Sequence, residues 1–302
     1  MSLITGLFIA LGLFAAYYLV IFTRGLKAAR ARGEDTTPNL IGIGTGAITN
    51  FFDDLGIGSF ATTTTIFRST RQVRDEKIPG TLNVGHTLPT VVEALASLAL
   101  FRTAIDSTTL IEMIAAATAG AWLGARMFGR WPRRKIQIGM GFALLAAVGV
   151  MFFRTVYGDP QGGALLRLDG MLLIIGLVAN FVLGMLMTIG IGLYAPCMIL
   201  VSLLGMNPAA AFPVMMGSCA FLMPVARGNF IKERSWDSKA SLGLLIGGIP
   251  GVLIAAYIVK QIPLLYLKWL VMAVVVYTAI SMLITAWKEQ SNPADLAPVP
   301  TH

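Results

Sequence analysis

Long apolar runs separated by short polar loops form the dominant pattern of the chain. A helix needs about 20 mainly apolar residues to cross the hydrocarbon core of a bilayer. Runs of about this length lie near 3–22, 81–101, 108–126, 136–153, 212–226, 240–259 and 264–287. The first run lacks the charged start of a cleaved signal peptide, so we expect it to be retained. The pattern predicts an all-α, polytopic integral membrane protein.

Two further apolar runs, 38–67 and 170–205, are longer, and each is interrupted in the middle by Gly-x-Gly. Neither has the pattern of a single straight helix. Each is predicted to form a re-entrant hairpin or two half-helices joined by irregular backbone. Such backbone must face protein or a water-filled cavity, because its polar groups cannot be left unsatisfied against lipid.

A short motif occurs twice in the chain. Residues 55–61 read LGIGSFA, and residues 189–195 read IGIGLYA. Later in each copy, Gly120 corresponds to Gly251, at a separation slightly shorter than that between the two motifs. An apolar chain built from two copies, each with a glycine-broken segment, is typical of secondary transporters.

The repeat predicts how the chain is organised. Each copy is expected to contain one broken segment and three spanning helices, after one extra helix at the N-terminus. The predicted parts are an N-terminal transmembrane helix with its cytoplasmic loop (1–37), repeat A (38–156), an external linker (157–169), repeat B (170–288) and a disordered tail (289–302).

Basic residues predict the orientation of the two copies, because Lys and Arg are retained on the cytoplasmic side. Loops 24–37, 68–78 and 126–135 are basic. In the second copy the counterpart of 68–78, at 205–211, carries no charge, whereas loop 227–239 is basic. Basic and neutral loops have exchanged places, which predicts an inverted repeat with the N-terminus outside. A parallel repeat remains an alternative.

Composition narrows the function further. The chain is 56% hydrophobic, 13% charged and has a net charge of +8. The positive charge follows from the loops, so it does not indicate a nucleic-acid partner. Cys197 and Cys219 lie in apolar segments, and His302 lies in the tail. These residues provide neither a metal site nor a nucleophile with its base, so we expect no cofactor, no catalytic residue and no enzyme.

Polar residues surround the first break. Half-helix N-termini attract anions, so we expect the Gly-x-Gly segments of both copies to bind a negative solute. Glycines that only permit tight packing, and threonines that bond to their own helix, are the alternatives. Asp53 and Asp54 are candidates for coupling to a cation or proton, or they are solvated or cap the following helix.

A polar stripe follows on the helix at 81–101. Its members recur at steps of 3 and 4 residues and so share one face: Asn83, His86, Thr90, Glu93 and Ser97. A polar face on an apolar spanning helix points inward. His86 is suited to proton transfer or anion contact, with a satisfied core histidine as the alternative.

The predicted site therefore has two sets of residues. The substrate-binding set is Asn50, Gly56, Gly58, Ser59, Thr62, Thr63, Asn83, His86, Gly190, Gly192, Pro196 and Ser218. The set for proton or ion coupling is Asp53, Asp54, His86 and Glu93. Met187 and Thr188 stand where the first copy has acidic residues, so any titrating role is confined to the first half.

Residues 46–60, GAITNFFDDLGIGSF, followed by TLNVGH at 81–86, resemble the TauE/SafE family of sulfite and organosulfonate exporters. The resemblance extends from about 38 to 288, together with the two-copy layout. It implies a bacterial inner-membrane permease that exports sulfite or a related small anion and uses an ion gradient. Pro196 keeps the family's proline in the second half, whereas Thr62 stands at that position in the first.

The residues and the resemblance together predict a secondary transporter, an exporter, of sulfite or a short organosulfonate that works by alternating access. Its expected partners are the small anion, the lipid bilayer and a coupling proton or sodium ion, and a homodimer stays open. A passive anion channel and a permease for an unrelated small organic acid are the alternatives.

Overall fold

The computed structural model describes residues 3–101, 103–127, 133–157, 163, 165–187, 193–232 and 234–291. Within these residues the chain forms helices and no strand, which confirms the all-α polytopic prediction. The helices are α1 (Leu3–Ala31), α2 (Leu40–Asp54), α3 (Ser59–Thr70), α4 (Ile78–Phe101), α5 (Ser107–Met127), α6 (Arg133–Tyr157), α7 (Gly170–Met187), α8 (Tyr194–Leu203), α9 (Ala211–Lys232), α10 (Ser238–Gln261) and α11 (Leu264–Ser291).

Six helices in the described residues are long and apolar enough to cross a bilayer by length and composition: α1, α4, α6, α7, α10 and α11. Five of them match predicted spans. The predicted spans at 108–126 and 212–226 coincide with α5 and α9, each of which includes residues whose side chains lie outside the described part of the chain. Conversely, α7 meets it, although the sequence reasoning treated it as one arm of a broken segment.

The first broken segment is confirmed. Helix α2 ends at Asp54 and α3 begins at Ser59, with four residues of irregular backbone between them. Gly56 and Gly58 have φ of +92° and +91°, a region that residues with a Cβ rarely occupy. In the second copy α7 ends at Met187 and α8 begins at Tyr194, and the residues between them, 188–192, lie outside the described residues.

In each half, one helix packs mainly against a helix of the other half. Helix α2 of the first half packs on α10 of the second, and α7 of the second packs on α5 of the first. A Cβ on Gly251 would overlap the carbonyl oxygen of Ala47, and a Cβ on Gly120 would overlap that of Phe181. These two contacts are related by the same offsets that relate the sequence copies, so the internal repeat is also a repeat of contacts.

Several helix ends meet at one end of the bundle. The Lys239 ammonium donates a hydrogen bond to Asp35 (2.6 Å), and the backbone N–H of Asp237 donates to Thr81 (2.9 Å). The bond from Lys239, assisted by the N–H of Thr37, lowers the pKa of Asp35 to about 2. The starts of α2, α4 and α10 therefore lie together at this end, here named the basic end because the basic segments 24–37, 68–78 and 227–239 lie here. The first and last of these were predicted as loops, but α1 continues to Ala31 and α9 to Lys232.

The opposite end, the linker end, collects a different set of termini. The backbone N–H of Asp106 donates to Leu166 (2.6 Å), and that of Leu165 donates to Gly205 (3.2 Å). The starts of α5 and α7 and the end of α8 thus lie near one another. Helix α4, with 24 residues, runs from the basic end to the linker end.

Candidate functional site

A cavity of about 320 Å³ lies at the point where the two broken segments meet. One wall is the first break and the start of α3, from Gly56 to Thr62. A second wall is the start of α8, from Leu193 to Ala195, with Met187 from the end of α7. The remaining lining comes from α6 and α11, together with Cys219 of α9. Residues that begin two half-helices therefore line the same space.

Asp53 and Ser59 fix the first break. The backbone N–H of Ser59 donates to one carboxylate oxygen of Asp53 (3.0 Å), and the Ser59 hydroxyl donates to the other (2.7 Å). Gly58, the residue before α3, has no side chain to cap the helix. The carboxylate of Asp53 therefore takes the position of the cap at the start of α3.

The start of α8 differs, because no side chain caps it. Tyr194, its first residue, instead donates its hydroxyl to Glu93 of α4 (3.0 Å). The other carboxylate oxygen of Glu93 is buried without a hydrogen-bond partner. This bond joins the second half to the first directly beside the cavity.

His86 organises a polar cluster behind the cavity wall. Its Nδ1 lies 2.9 Å from the side-chain oxygen of Asn50, and its Nε2 lies 3.1 Å from the Thr63 hydroxyl. All three residues are fully buried, and the ring of Phe60 packs 5.7 Å from the imidazole. Helices α2, α3 and α4 are thereby tied together by one imidazole.

The structure brings together most of the predicted residues of the first half. Gly56, Gly58, Ser59 and Thr62 line the cavity, as does Asp53. Of the other predicted residues of the first half, those buried behind the wall are Asn50, Asp54, Thr63, His86 and Glu93.

The remaining predicted residues are placed differently. Asn83 is only half buried, and its amide donates to the carbonyl of Pro79 on its own helix (2.8 Å), so it does not join the cluster. Pro196 and Ser218 are buried in α8 and α9 beside lining residues but do not line the cavity. Gly190 and Gly192 lie outside the described residues.

Sequence reasoning missed the wall formed by α6 and α11. Gln137 of α6 lines the cavity, and so do Thr278, Ser281 and Thr285 of α11. The side-chain oxygens of Gln137 and Thr278 are buried without a hydrogen-bond partner. The three α11 hydroxyls recur at steps of 3 and 4 residues, the same signal that identified the stripe on α4.

The charge of the site is unusual for an anion carrier. None of the described lining residues is Lys or Arg, whereas Asp53, Asp54 and Glu93 are at most 4% exposed. Among the described residues there is no group of three or more His, Cys, Asp or Glu side chains that could hold a metal ion. Positive potential at this site must come from helix N-termini and polar hydrogens.

One side of the cavity faces the basic end, because α10 starts at that end and α11 returns to it. Gln137 lies one turn from the start of α6, and Thr285 lies under two turns from the end of α11. These two termini are joined by the bond from Arg134 to the carbonyl of Ala286 (3.0 Å). At the other side, α8 packs against both α6 and α11, whereas the main partners of its counterpart α3 are α2 and α4.

Comparison with known proteins gives one family. No curated protein and no solved structure matches the chain. Residues 172–301, which include α8 to α11 and part of α7, match the family model described as Sulfite exporter TauE/SafE. The match lies in the second half, whereas the runs at 46–60 and 81–86 lie in the first. The match confirms the resemblance to this family that the sequence predicted.

Proposed function

We propose that this chain is a secondary transporter that carries sulfite or a short organosulfonate out across a bacterial inner membrane by alternating access with ion-gradient coupling. The observation that carries the proposal is the cavity lined by the starts of both α3 and α8. Free N–H groups at helix starts attract anions. The family of the matched model is one of membrane transporters, which supports the same class of function.

The chemistry of the lining suits a small oxyanion that must bind and leave again. Hydroxyl and amide groups of Ser59, Thr278 and Gln137 can donate hydrogen bonds to its oxygens. Two of these side chains have a buried oxygen without a partner, which is costly in an empty site. A site without Lys or Arg also avoids holding the anion too tightly to release it.

The orientation of the two halves supports alternating access. Because α2 and α4 both start at the basic end, the segment α2–α3 enters and returns to that end. The corresponding segment α7–α8 starts and returns at the linker end, as the contacts of Asp106 and Leu165 indicate. Two halves that enter the bundle from opposite ends are what an inverted repeat requires.

The packing of α3 and α8 supports a specific pair of states. In this structure α8 closes on α6 and α11, and the cavity extends between α3 and the same two helices toward the basic end. In the opposite state, α3 packs against α6 and α11 and α8 moves away from them. The cavity then opens to the linker end. With the basic end inside, this structure corresponds to the state in which an exporter loads its substrate.

Coupling is assigned to the buried titratable groups of the first half. His86, Glu93, Asp53 and Asp54 lie beside or behind one wall of the cavity. Intramembrane carboxylates are costly, and they usually have a function. An anion that enters with a monovalent cation adds no net charge to this site, and the titratable side chains favour a proton as that cation. Because the pair is electroneutral, export proceeds when the outward gradient of the anion exceeds the inward gradient of the proton.

The test is transport in proteoliposomes with imposed proton or sodium gradients. Methanesulfonate is the better probe, because it stays ionised near neutral pH, whereas acidified sulfite forms a permeant neutral species. We expect a pH gradient to drive methanesulfonate and sulfite against their concentration gradients. The matched control is Asn83→Ala, which removes a polar side chain of α4 that does not reach the cavity, and it is expected to transport normally.

Other outcomes identify the alternatives. Flux that follows only the substrate's own gradient and the membrane voltage indicates a passive anion channel. Flux of small carboxylates without flux of sulfite or methanesulfonate indicates a permease for an unrelated organic acid. Absence of any anion flux from a monodisperse protein would falsify the proposed function.

A further inference from the structure

We infer that Asp53 is an internal competitor of the transported anion: it occupies the anion position at the start of α3, and the substrate replaces it only after Asp53 accepts a proton. This inference rests on the proposed function. It names the residue at which proton and anion meet, among the several titratable groups of the first half.

Asp53 is bound in the way that an oxyanion would be bound at the start of α3. Its two carboxylate oxygens accept from the backbone N–H of Ser59 at 3.0 Å and from the Ser59 hydroxyl at 2.7 Å. A backbone N–H and a hydroxyl at a helix start are the donors that an oxyanion would use at this position. Asp53 and Ser59 both line the cavity, so the bound carboxylate lies in the path of an incoming anion.

The equivalent position in the second half has no carboxylate. The offset that relates the two motifs carries Asp53 onto Met187 and Ser59 onto Leu193, and both of these also line the cavity. A thioether carries no charge and is only a weak acceptor. The start of α8 therefore has no tethered anion, while the start of α3 has one.

A third, independent observation indicates that a ligand belongs in this space. Gln137 is 4% exposed, lines the cavity and has a side-chain oxygen without a partner, and the hydroxyl of Thr278, another lining residue, is also unpartnered. The amide of Gln137 can present either its oxygen or its NH2 group to the space. Both groups lie opposite the start of α3, on the α6–α11 wall.

The exchange conserves charge. One proton passes from cavity water to a carboxylate oxygen of Asp53, and the neutral acid loses its charge-assisted bonds to the Ser59 N–H and hydroxyl. The anion then takes these donors, so the site holds one negative charge before and after. Without the proton, two anions would face each other in a cavity whose described lining has no Lys or Arg.

Other titratable groups surround Asp53 and must be separated from it experimentally. Asp54 is its neighbour on α2, and Glu93 faces it from α4, as do Tyr194 from α8 and Cys219 from α9. His86 of α4 binds Asn50, one turn before Asp53. Helix α10, which packs on α2, presents glycines to it, namely Gly243, Gly247 and Gly251.

The test is equilibrium binding of methanesulfonate to the full-length purified protein at pH values on both sides of neutrality. At pH values where Asp53 is ionised before the anion binds, the affinity of the wild-type protein for methanesulfonate should fall about tenfold for each unit of increase in pH. This is the slope expected when binding takes up one proton. Asp53→Asn keeps one acceptor oxygen for Ser59 and carries no charge, so its affinity should be nearly independent of pH. Asp75→Asn makes the same change on the exposed surface and should keep the wild-type slope.

A second measurement keeps the inference falsifiable if Asp53→Asn does not fold. Proton uptake during binding to the wild-type protein, followed in a weakly buffered solution with an indicator dye, should approach one proton per anion. Binding without proton uptake overturns the inference, and so does a pH slope that persists in a folded Asp53→Asn variant. Both results leave the proposed function intact, whereas failure of the wild-type protein to bind or transport any sulfonate or sulfite removes both.

Discussion

The two broken segments share one framework and differ in chemistry. The contact of Gly251 with Ala47 repeats as the contact of Gly120 with Phe181, so the same close approach of two helices occurs in both halves. The polar groups are not repeated, since Asp53 has Met187 as its counterpart. The glycines therefore set the close packing of helices between the two halves. The acidic side chains and the histidine near the cavity all come from the first half.

The largest expected effect comes from breaking the shared framework. Gly120→Ala and Gly251→Ala each place a Cβ on a backbone carbonyl that cannot move aside, so each should lower stability by about 2–3 kcal/mol. The melting temperature of the purified protein measures this. Gly139→Ala is the control, because a Cβ there meets no atom within 4 Å. Equal melting temperatures for all three variants would show that the close approach is not a constraint.

The next effect comes from the polar cluster that only the first half has. His86→Ala leaves the Asn50 and Thr63 side chains with one partner fewer, which costs about 1–3 kcal/mol, and should abolish gradient-driven flux. His86→Gln can keep both hydrogen bonds but does not titrate near neutral pH.

The Gln variant separates structure from proton transfer. We expect His86→Gln to restore the melting temperature while driven accumulation stays absent and exchange of anion continues. If accumulation also returns, His86 has a structural role and the proton path runs through the carboxylates alone.

A third prediction transfers the chemistry of the first half to the second. Met187→Asp places a carboxylate before the start of α8, where the structure has no capping side chain. A second tethered anion should weaken methanesulfonate binding above neutral pH and steepen its pH dependence toward about two protons per anion. Met187→Asn is the uncharged control. An unchanged pH slope in Met187→Asp would mean that the two helix starts do not hold the same anion.

A smaller effect is expected on the wall common to both breaks. Thr278→Val removes a hydroxyl that has no partner in the empty protein, so stability should not fall. Anion affinity should decrease by about fivefold, the usual value of one hydrogen bond. Thr118→Val, on α5, removes a hydroxyl that bonds only to its own helix and serves as the control. An affinity equal to wild type would remove Thr278 from the site.

The smallest effect is at the basic end. Lys239→Ala removes the ion pair with Asp35, whose pKa then returns upward toward 3.8 from about 2. A lowered pKa contributes stability above the unfolded value and loses it as the pH falls through the folded one. The melting temperature of the variant should therefore be slightly below wild type at neutral pH and equal to it near pH 2. The same difference at both pH values would show that the ion pair is not its source.

Much of the framework could be predicted from sequence, because backbone demands leave clear signals. Gly56 and Gly58 were expected to break a helix, and both have positive φ. The correspondence of Gly120 with Gly251 was visible as an offset in the sequence, although not the carbonyl that each glycine contacts. Contacts between helices depend on rotation about their axes, which a single sequence does not specify.

The site was only partly predictable. The stripe on α4 identified His86 and Glu93 correctly as buried, but it also included Asn83, which is half buried near the start of that helix. Periodicity selects a face of a helix and not its depth in the bundle. The hydroxyls of α11 carry the same spacing, yet they lie in a strongly apolar helix whose partner, α6, could not be known from the sequence.

The proposed transport requires a small anion to bind between the starts of α3 and α8. The direct measurement is a structure with selenite, first shown to inhibit sulfite flux, located by the anomalous signal of selenium. We predict a peak in the cavity within hydrogen-bond distance of the Ser59 or Tyr194 backbone and of Thr278. A peak elsewhere, or an empty cavity at a selenite concentration that blocks flux, would contradict the account.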